Sequence, residues 1–198
     1  MKRGLKISLA AVLLLAVAAG VVWYSKPSSP EPTVATSGEH AGEPAVSAPI
    51  ETPLPANAVI DRLVVHKSKR TMSAYSKGRL LKTYPIALGK QPVGHKHFEG
   101  DGKTPEGKYR INDRNPNSAY HKNLGVSYPN EADKAYAAAQ GKSPGGLIKI
   151  HGIKNGWGSI GKKHLQRDWT DGCIAVTDEE IDELYRSVKH NAEIEILP

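Results

Sequence analysis

The chain of 198 residues holds one cysteine, Cys173, in the stretch DWTDGCIAV at 168–176, and eight histidines. A lone thiol cannot close an internal disulfide. It is a buried inert group, one half of an intermolecular bridge, or a nucleophile. Its neighbours favour the nucleophile. Gly172 lets the backbone turn sharply before the thiol and leaves N–H groups unobstructed, and such donors stabilise an oxyanion. If the next residues are a strand, Ile174 and Val176 face the core while Cys173 faces away. A nucleophilic thiol needs a base, and His151 is the candidate. It ends the apolar run LIKIH and is followed by Gly152. Ile148 and Ile150 take the core side by alternation, so His151 takes the side proposed for Cys173. No Asp or Asn stands out as a third member. A backbone carbonyl beside His151 can fix the ring tautomer instead.

A metal is the rival use of these side chains. His95 and His97 with His121 or His164 supply imidazoles, and Asp101 a carboxylate. Neither HExxH nor a pair of CxxC motifs is present, so no metal and no other cofactor is expected. Asp178, Glu179, Glu180, Asp182 and Glu183 crowd one predicted helix start, where the helix dipole accounts for acidic groups. Trp157 and Trp169 flank a long loop and read as packing residues.

The elements that must hold His151 and Cys173 are mostly strands. AVIDRLVVHKS gives a first strand through Val59, Leu63 and Val65, and TMSAYS with LLKTYPIAL a hairpin around Lys77-Gly78-Arg79. A short strand is expected from Lys108 to Asn112, an irregular stretch over 113–123, and a strand at LGVSY. NEADKAYAAAQ predicts a helix opened by Asn130 and stopped by Gly141. LIKIH is a strand. Thr177 and Glu180 form a capping box for the helix DEEIDELYRSV, and AEIEIL alternates as the last strand.

These elements occupy one domain, residues 58–198. Before it, Lys2, Arg3 and Lys6 precede an uncharged run from Ile7 to Tyr24. As a helix that run covers about 27 Å, close to a bilayer core. Residues 1–24 are therefore expected to be a membrane anchor or a signal peptide, with the domain outside the cytoplasm. Residues 25–57 carry half of the 14 prolines and no aromatic residue, the composition of a disordered linker. The domain holds 23 Lys/Arg against 16 Asp/Glu, a balance that suits an anionic partner. Basic blocks interleaved with aromatics are absent, so nucleic acid is not the expected partner.

IHG at 150–152 with TDGCIAV at 170–176 resembles the L,D-transpeptidase catalytic domain (YkuD-like) family, which carries His-Gly followed by Ser/Thr-x-Gly-Cys. GDGKTPEGKYRI at 100–111 resembles that family's Thr-Pro-x-Gly loop, and the strand pair ending in YPIALGK matches upstream. The likeness covers roughly 58–197. It implies a mainly β sandwich or barrel with two or three short helices. It also implies a cell-envelope enzyme acting on peptidoglycan stem peptides without a cofactor. Cys173 would be the nucleophile, attacking the amide after diaminopimelate in a tetrapeptide stem. His151 would be base and then acid, and the Gly152 carbonyl would orient it. Gly172 and Cys173 N–H groups would form the oxyanion hole, with Thr170 and Asp171 beside the substrate. An amine from a second stem resolves the thioester in a transpeptidase, and water in a carboxypeptidase or amidase. Two departures mark a divergent branch: Asp171 stands where histidine is common, and Ala175 where arginine is. Asp171 would raise the thiol pKa unless it points away. A non-catalytic wall-binding module is the remaining alternative.

Overall fold

The computed structural model describes residues 52–198. Expectations for residues 1–24, and for the linker up to residue 51, lie outside the described residues. Among the described residues no helix is long and apolar enough to cross a membrane. The packed domain reaches back past residue 58. Leu54 is buried, and its N–H donates to Glu183 Oε2 at 2.7 Å.

The strands are β1 (Ile60–His66), β2 (Thr71–Ser76), β3 (Arg79–Pro85), β4 (Gly107–Ser118), β5 (His121–Val126), β6 (Lys149–His151), β7 (Ile174–Ala175) and β8 (Val188–Leu197). Two α-helices join them, α1 (Glu131–Ala139) and α2 (Asp178–Ser187), with a 3₁₀ stretch over Gly158–Gln166. All eight strands form one sheet in the order β3-β2-β1-β8-β4-β5-β6-β7. It curls into a half-barrel, so the sandwich-or-barrel expectation resolves to a single curled sheet. The two ends of the order approach each other beyond β3. Ala87 and Ala175 exchange hydrogen bonds of 3.0 and 2.8 Å, and the Thr170 N–H donates to the Leu88 carbonyl at 3.1 Å.

Apolar alternation dictates the interior. Leu63, Val65, Met72, Tyr84, Ile111, Leu124, Ile150, Ile174, Ile194 and Ile196 fill it, and Ile181 and Leu184 add the apolar face of α2. Val59 is exposed, and the first strand begins with buried Ile60. The hairpin turns at Lys77-Gly78 as expected. Asn130 with Asp133, and Thr177 with Glu180, close capping boxes that start α1 and α2.

Two expectations were too short. β4 does not stop at Asn112 but runs to Ser118, and β5 starts at His121, so most of the stretch expected to be irregular is strand. The register shifts between Ile111 and Asp113 and again between Asn115 and Ser118. Bulges of this kind bend a strand and tolerate a proline such as Pro116. The bend also lets β4 pair with β8 through its first half and with β5 through its second.

Candidate active site

β6 and β7 run parallel, with Ile150 beside Ile174 and His151 beside Ala175. Both isoleucines are fully buried. His151 lies on the opposite face, and Cys173, two residues before Ala175, returns to that same face. The two side chains line one cleft of about 300 Å³ together with Tyr120, Asn123, Lys149 and Trp169. His151 is not on an open surface, as alternation alone suggested. It is 5% exposed, with the Tyr120 ring 4.7 Å and the Trp169 ring 5.7 Å away, centre to centre. Its Nδ1 lies 2.7 Å from the Gly152 carbonyl oxygen. A carbonyl only accepts, so Nδ1 carries the proton and Nε2 is left able to take one. Gly152 cannot be replaced without movement: a Cβ there would meet Asp178 Oδ1 at 2.5 Å. That carboxylate accepts the Ile153 N–H at 2.7 Å, so Asp178 braces the chain beyond the histidine besides serving the helix dipole.

The turn before the thiol is held from within. Thr170 is buried; its hydroxyl donates to the Cys173 carbonyl at 2.8 Å and accepts the Gly172 N–H at 3.1 Å. Gly172 has φ +130°, and a Cβ there would lie 2.5 Å from the Lys103 carbonyl oxygen. Only glycine fits that turn. The Gly172 N–H, expected to face an oxyanion, is thus engaged by Thr170. The Asp171 side chain is 85% exposed and ion-paired with Lys90 at 2.7 Å, and it lines the same cleft as the thiol. Cys173 is half-buried, with Sγ 3.6 Å from the Leu147 carbonyl. Ala175 is buried between β6 and the Ala87 segment.

Burial pushes the Cys173 thiol above its ordinary 9.0, with Lys149 acting against it and Asp171 adding slightly. Burial pushes His151 below its ordinary 6.5, opposed by the Gly152 carbonyl and reinforced by His164. Both shifts favour the neutral thiol and neutral imidazole over an ion pair at rest. Iodoacetamide alkylation of Cys173 is therefore expected to be slow at neutral pH and still rising above pH 9.0. A rate that levels off below pH 7, read by intact mass, would mean a preformed thiolate.

Of the four histidines weighed for a metal, three are engaged elsewhere. His95 accepts the Glu106 N–H at Nδ1 and meets Asp133 at Nε2, His97 stacks on Tyr136, and His121 pairs with Asp182. Asp101 accepts three backbone N–H groups and the Lys96 ammonium, which organise the 94–104 loop. Among the described residues no group of three His, Cys, Asp or Glu side chains converges. Asn123 and Lys149 escaped sequence reading because they reach the cleft through pairing of β5 with β6, which sets Asn123 beside His151 and Gly125 beside Lys149. Tyr120 escaped it because it lies in the turn before β5, its carbonyl accepting the Gly152 N–H at 3.2 Å. Trp169 is more than packing, since it covers His151 and lines the cleft.

Residues 60–196 match the YkuD family of L,D-transpeptidase catalytic domains. YafK of Escherichia coli (strain K12), provisionally named an L,D-transpeptidase, is 32% identical over 131 residues, 63% of this chain and 45% of YafK. YkuD of Bacillus licheniformis, with a similarly provisional name, is 31% identical over 137 residues, 69% of this chain and 66% of that protein. Among solved structures, the helical cell shape determining protein Pgp2 of Campylobacter jejuni superposes with a TM-score of 0.52 at 27% identity. That match covers 69% of this chain and 47% of Pgp2, so the chain spans about half the length of YafK and of Pgp2.

Proposed function

The chain belongs to the L,D-transpeptidase catalytic domain (YkuD) family, and from that premise we propose that it is an envelope enzyme that remodels peptidoglycan by acyl transfer through a Cys173 thioester. One observation carries the reading: His151 and Cys173 share a face of adjacent strands in one cleft, with His151 Nδ1 pinned by the Gly152 carbonyl. His151 Nε2 takes the thiol proton as Sγ attacks the amide carbon between diaminopimelate and D-alanine. The Cys173 N–H is the donor for the oxyanion, while Gly172 and Thr170 hold the turn that aims it. His151 then gives its proton to the departing D-alanine amine and leaves the thioester. An amine of a second stem attacks next, returning a proton through Nε2 and restoring the thiol. Lys149 also lines the cleft and, although its ammonium is ion-paired with Asp113 at 2.7 Å, offers a cation to a substrate carboxylate where Ala175 offers none. Residues 1–24 would tether the enzyme to the membrane. Pgp2 is a determinant of helical cell shape in Campylobacter jejuni, and control of wall geometry is the corresponding role here.

The test is the purified full chain with a diaminopimelate-containing disaccharide-tetrapeptide, products read by intact mass and Cys173→Ala as control. A crosslinked dimer short of one alanine is expected, and nothing from the variant. Tripeptide without dimer would make water the acceptor and the enzyme a carboxypeptidase. Product from Cys173→Ala, or none from the wild type, would sink the reading.

A further inference from the structure

Behind the Tyr120–Trp169 wall of the thiol cleft lies a second cavity of about 290 Å³, formed with the 3₁₀ stretch Gly158–Gln166. Trp157 and Ile160 line it, and both expose large apolar surface, Trp157 at 62%. Trp157 is therefore not the packing residue expected from sequence. His164 also lines it; the residue is only 8% exposed, yet neither ring nitrogen has a hydrogen-bond partner. The indole N–H of Trp169 is likewise buried and unpaired. Native proteins seldom leave such groups unsatisfied, because each costs about 1–3 kcal/mol. Three further residues of the lining, Lys154, Lys163 and Arg167, are exposed cations.

We propose that this cavity binds one N-acetylhexosamine ring of the glycan strand that carries the stem peptide. The inference rests on the peptidoglycan reading of the thiol cleft. A pyranose has an apolar C–H face that packs on an exposed indole such as Trp157. The Trp169 indole N–H and the His164 nitrogens are closed to the cavity at rest, and a turn of either ring as the sugar enters lets its acetamido oxygen and hydroxyls satisfy them. A cavity of this size takes one ring rather than a run of peptide. The two cavities share Tyr120 and Trp169, whose rings are 6.0 Å apart. Three stem residues separate the sugar from the scissile amide and reach about 10 Å when extended, enough to cross that wall. The cations suit the carboxylates that the stem carries along the way.

Two arms test this on the full chain. In the first, tryptophan fluorescence follows titration with the peptide-free N-acetylglucosamine–N-acetylmuramic acid disaccharide. Saturable quenching in the wild type and none in Trp157→Ala is expected. In the second, kcat/KM is compared for disaccharide-tetrapeptide and free tetrapeptide. The wild type should prefer the former roughly tenfold, the effect of one stacked and hydrogen-bonded group, and in Trp157→Ala the ratio should fall toward one. Turnover of both substrates at equal efficiency, with no quenching, would overturn the glycan site and leave the enzyme reading intact. No turnover of either would remove the enzyme reading, and the quenching arm alone would then support or overturn the site.

Discussion

Replacing His151 by glutamine is expected to cut turnover about 10²–10⁴-fold, the range that a positioned general base contributes. Glutamine keeps most of the bulk beneath Tyr120 and Trp169, so a melting curve close to that of the wild type should accompany the loss. The reason lies in the resting charges. With the thiol pushed up and the imidazole pushed down, little thiolate exists at neutral pH, and attack requires transfer of the proton to Nε2 at that moment. The wild type should also lose activity as pH falls below 6.5 and His151 protonates. The same proton costs stability: the folded state holds the imidazole neutral more strongly than the unfolded chain does. Stability therefore rises with pH through the window below 6.5, up to that value. Turnover in His151→Gln within roughly twofold of wild type would show that the thiol acts without this base.

Glu183→Ala is expected to destabilise the domain by about 3–5 kcal/mol, enough to lower its melting temperature by roughly 6–20 °C. Glu183 lies on α2 and is buried, as is Lys82 of β3. Its Oε1 accepts from Lys82 Nζ at 2.8 Å and from the Tyr84 hydroxyl at 2.6 Å, and its Oε2 from the Leu54 N–H at 2.7 Å. Truncation strands an ammonium in the interior together with two polar hydrogens. Lys82→Met should be costly by the mirror argument. Combining it with Glu183→Leu should cost less than the sum of the two, because no buried charge then remains. Burial alone would raise the carboxyl, but the bonds to Lys82, Tyr84 and Leu54 outweigh it and hold its pKa below the ordinary 4.5. The stabilisation is thus present above pH 4.5 and lost as acid protonates the group in the fold. Purely additive double-mutant costs would mean that the ion pair is not the source of the effect.

Much of the reactive pair was legible because it obeys the shortest periodicity in proteins. Ile148 and Ile150, then Ile174 and Val176, assign faces by alternation, and those assignments put His151 and Cys173 on one side. The opening of α1 at Asn130 and the capping box at Thr177 were legible for a similar reason: each closes within four residues. What stayed hidden depends on partners distant in sequence. Nothing local announces that Asp113–Ser118, polar and interrupted by Pro116, continues a strand, because β5 and the bulges make it one. The ion pair of Asp171 depends on Lys90, and the burial of His151 depends on Tyr120 and Trp169. The acidic run at α2 read as one dipole effect. It divides into a brace for Ile153, a partner for His121 and Lys122, and a buried ion pair.

β8 is last in the chain but sits between β1 and β4 at the middle of the sheet. It joins β1 in parallel over Ile60–His66 and β4 in antiparallel over Gly107–Arg110. Until those ten residues arrive, the β1–β3 meander and the four strands β4–β7 have no ladder connecting them, only the isolated bridges near Ala87 and Gly89. The order of synthesis therefore runs against the order of assembly. The earlier elements must wait with a sheet edge uncovered on each side of the gap, and completion is one late step spanning nearly the whole domain. A chain halted before Val188 would hold His151 and Cys173 but would lack the strand that joins the two halves of the sheet.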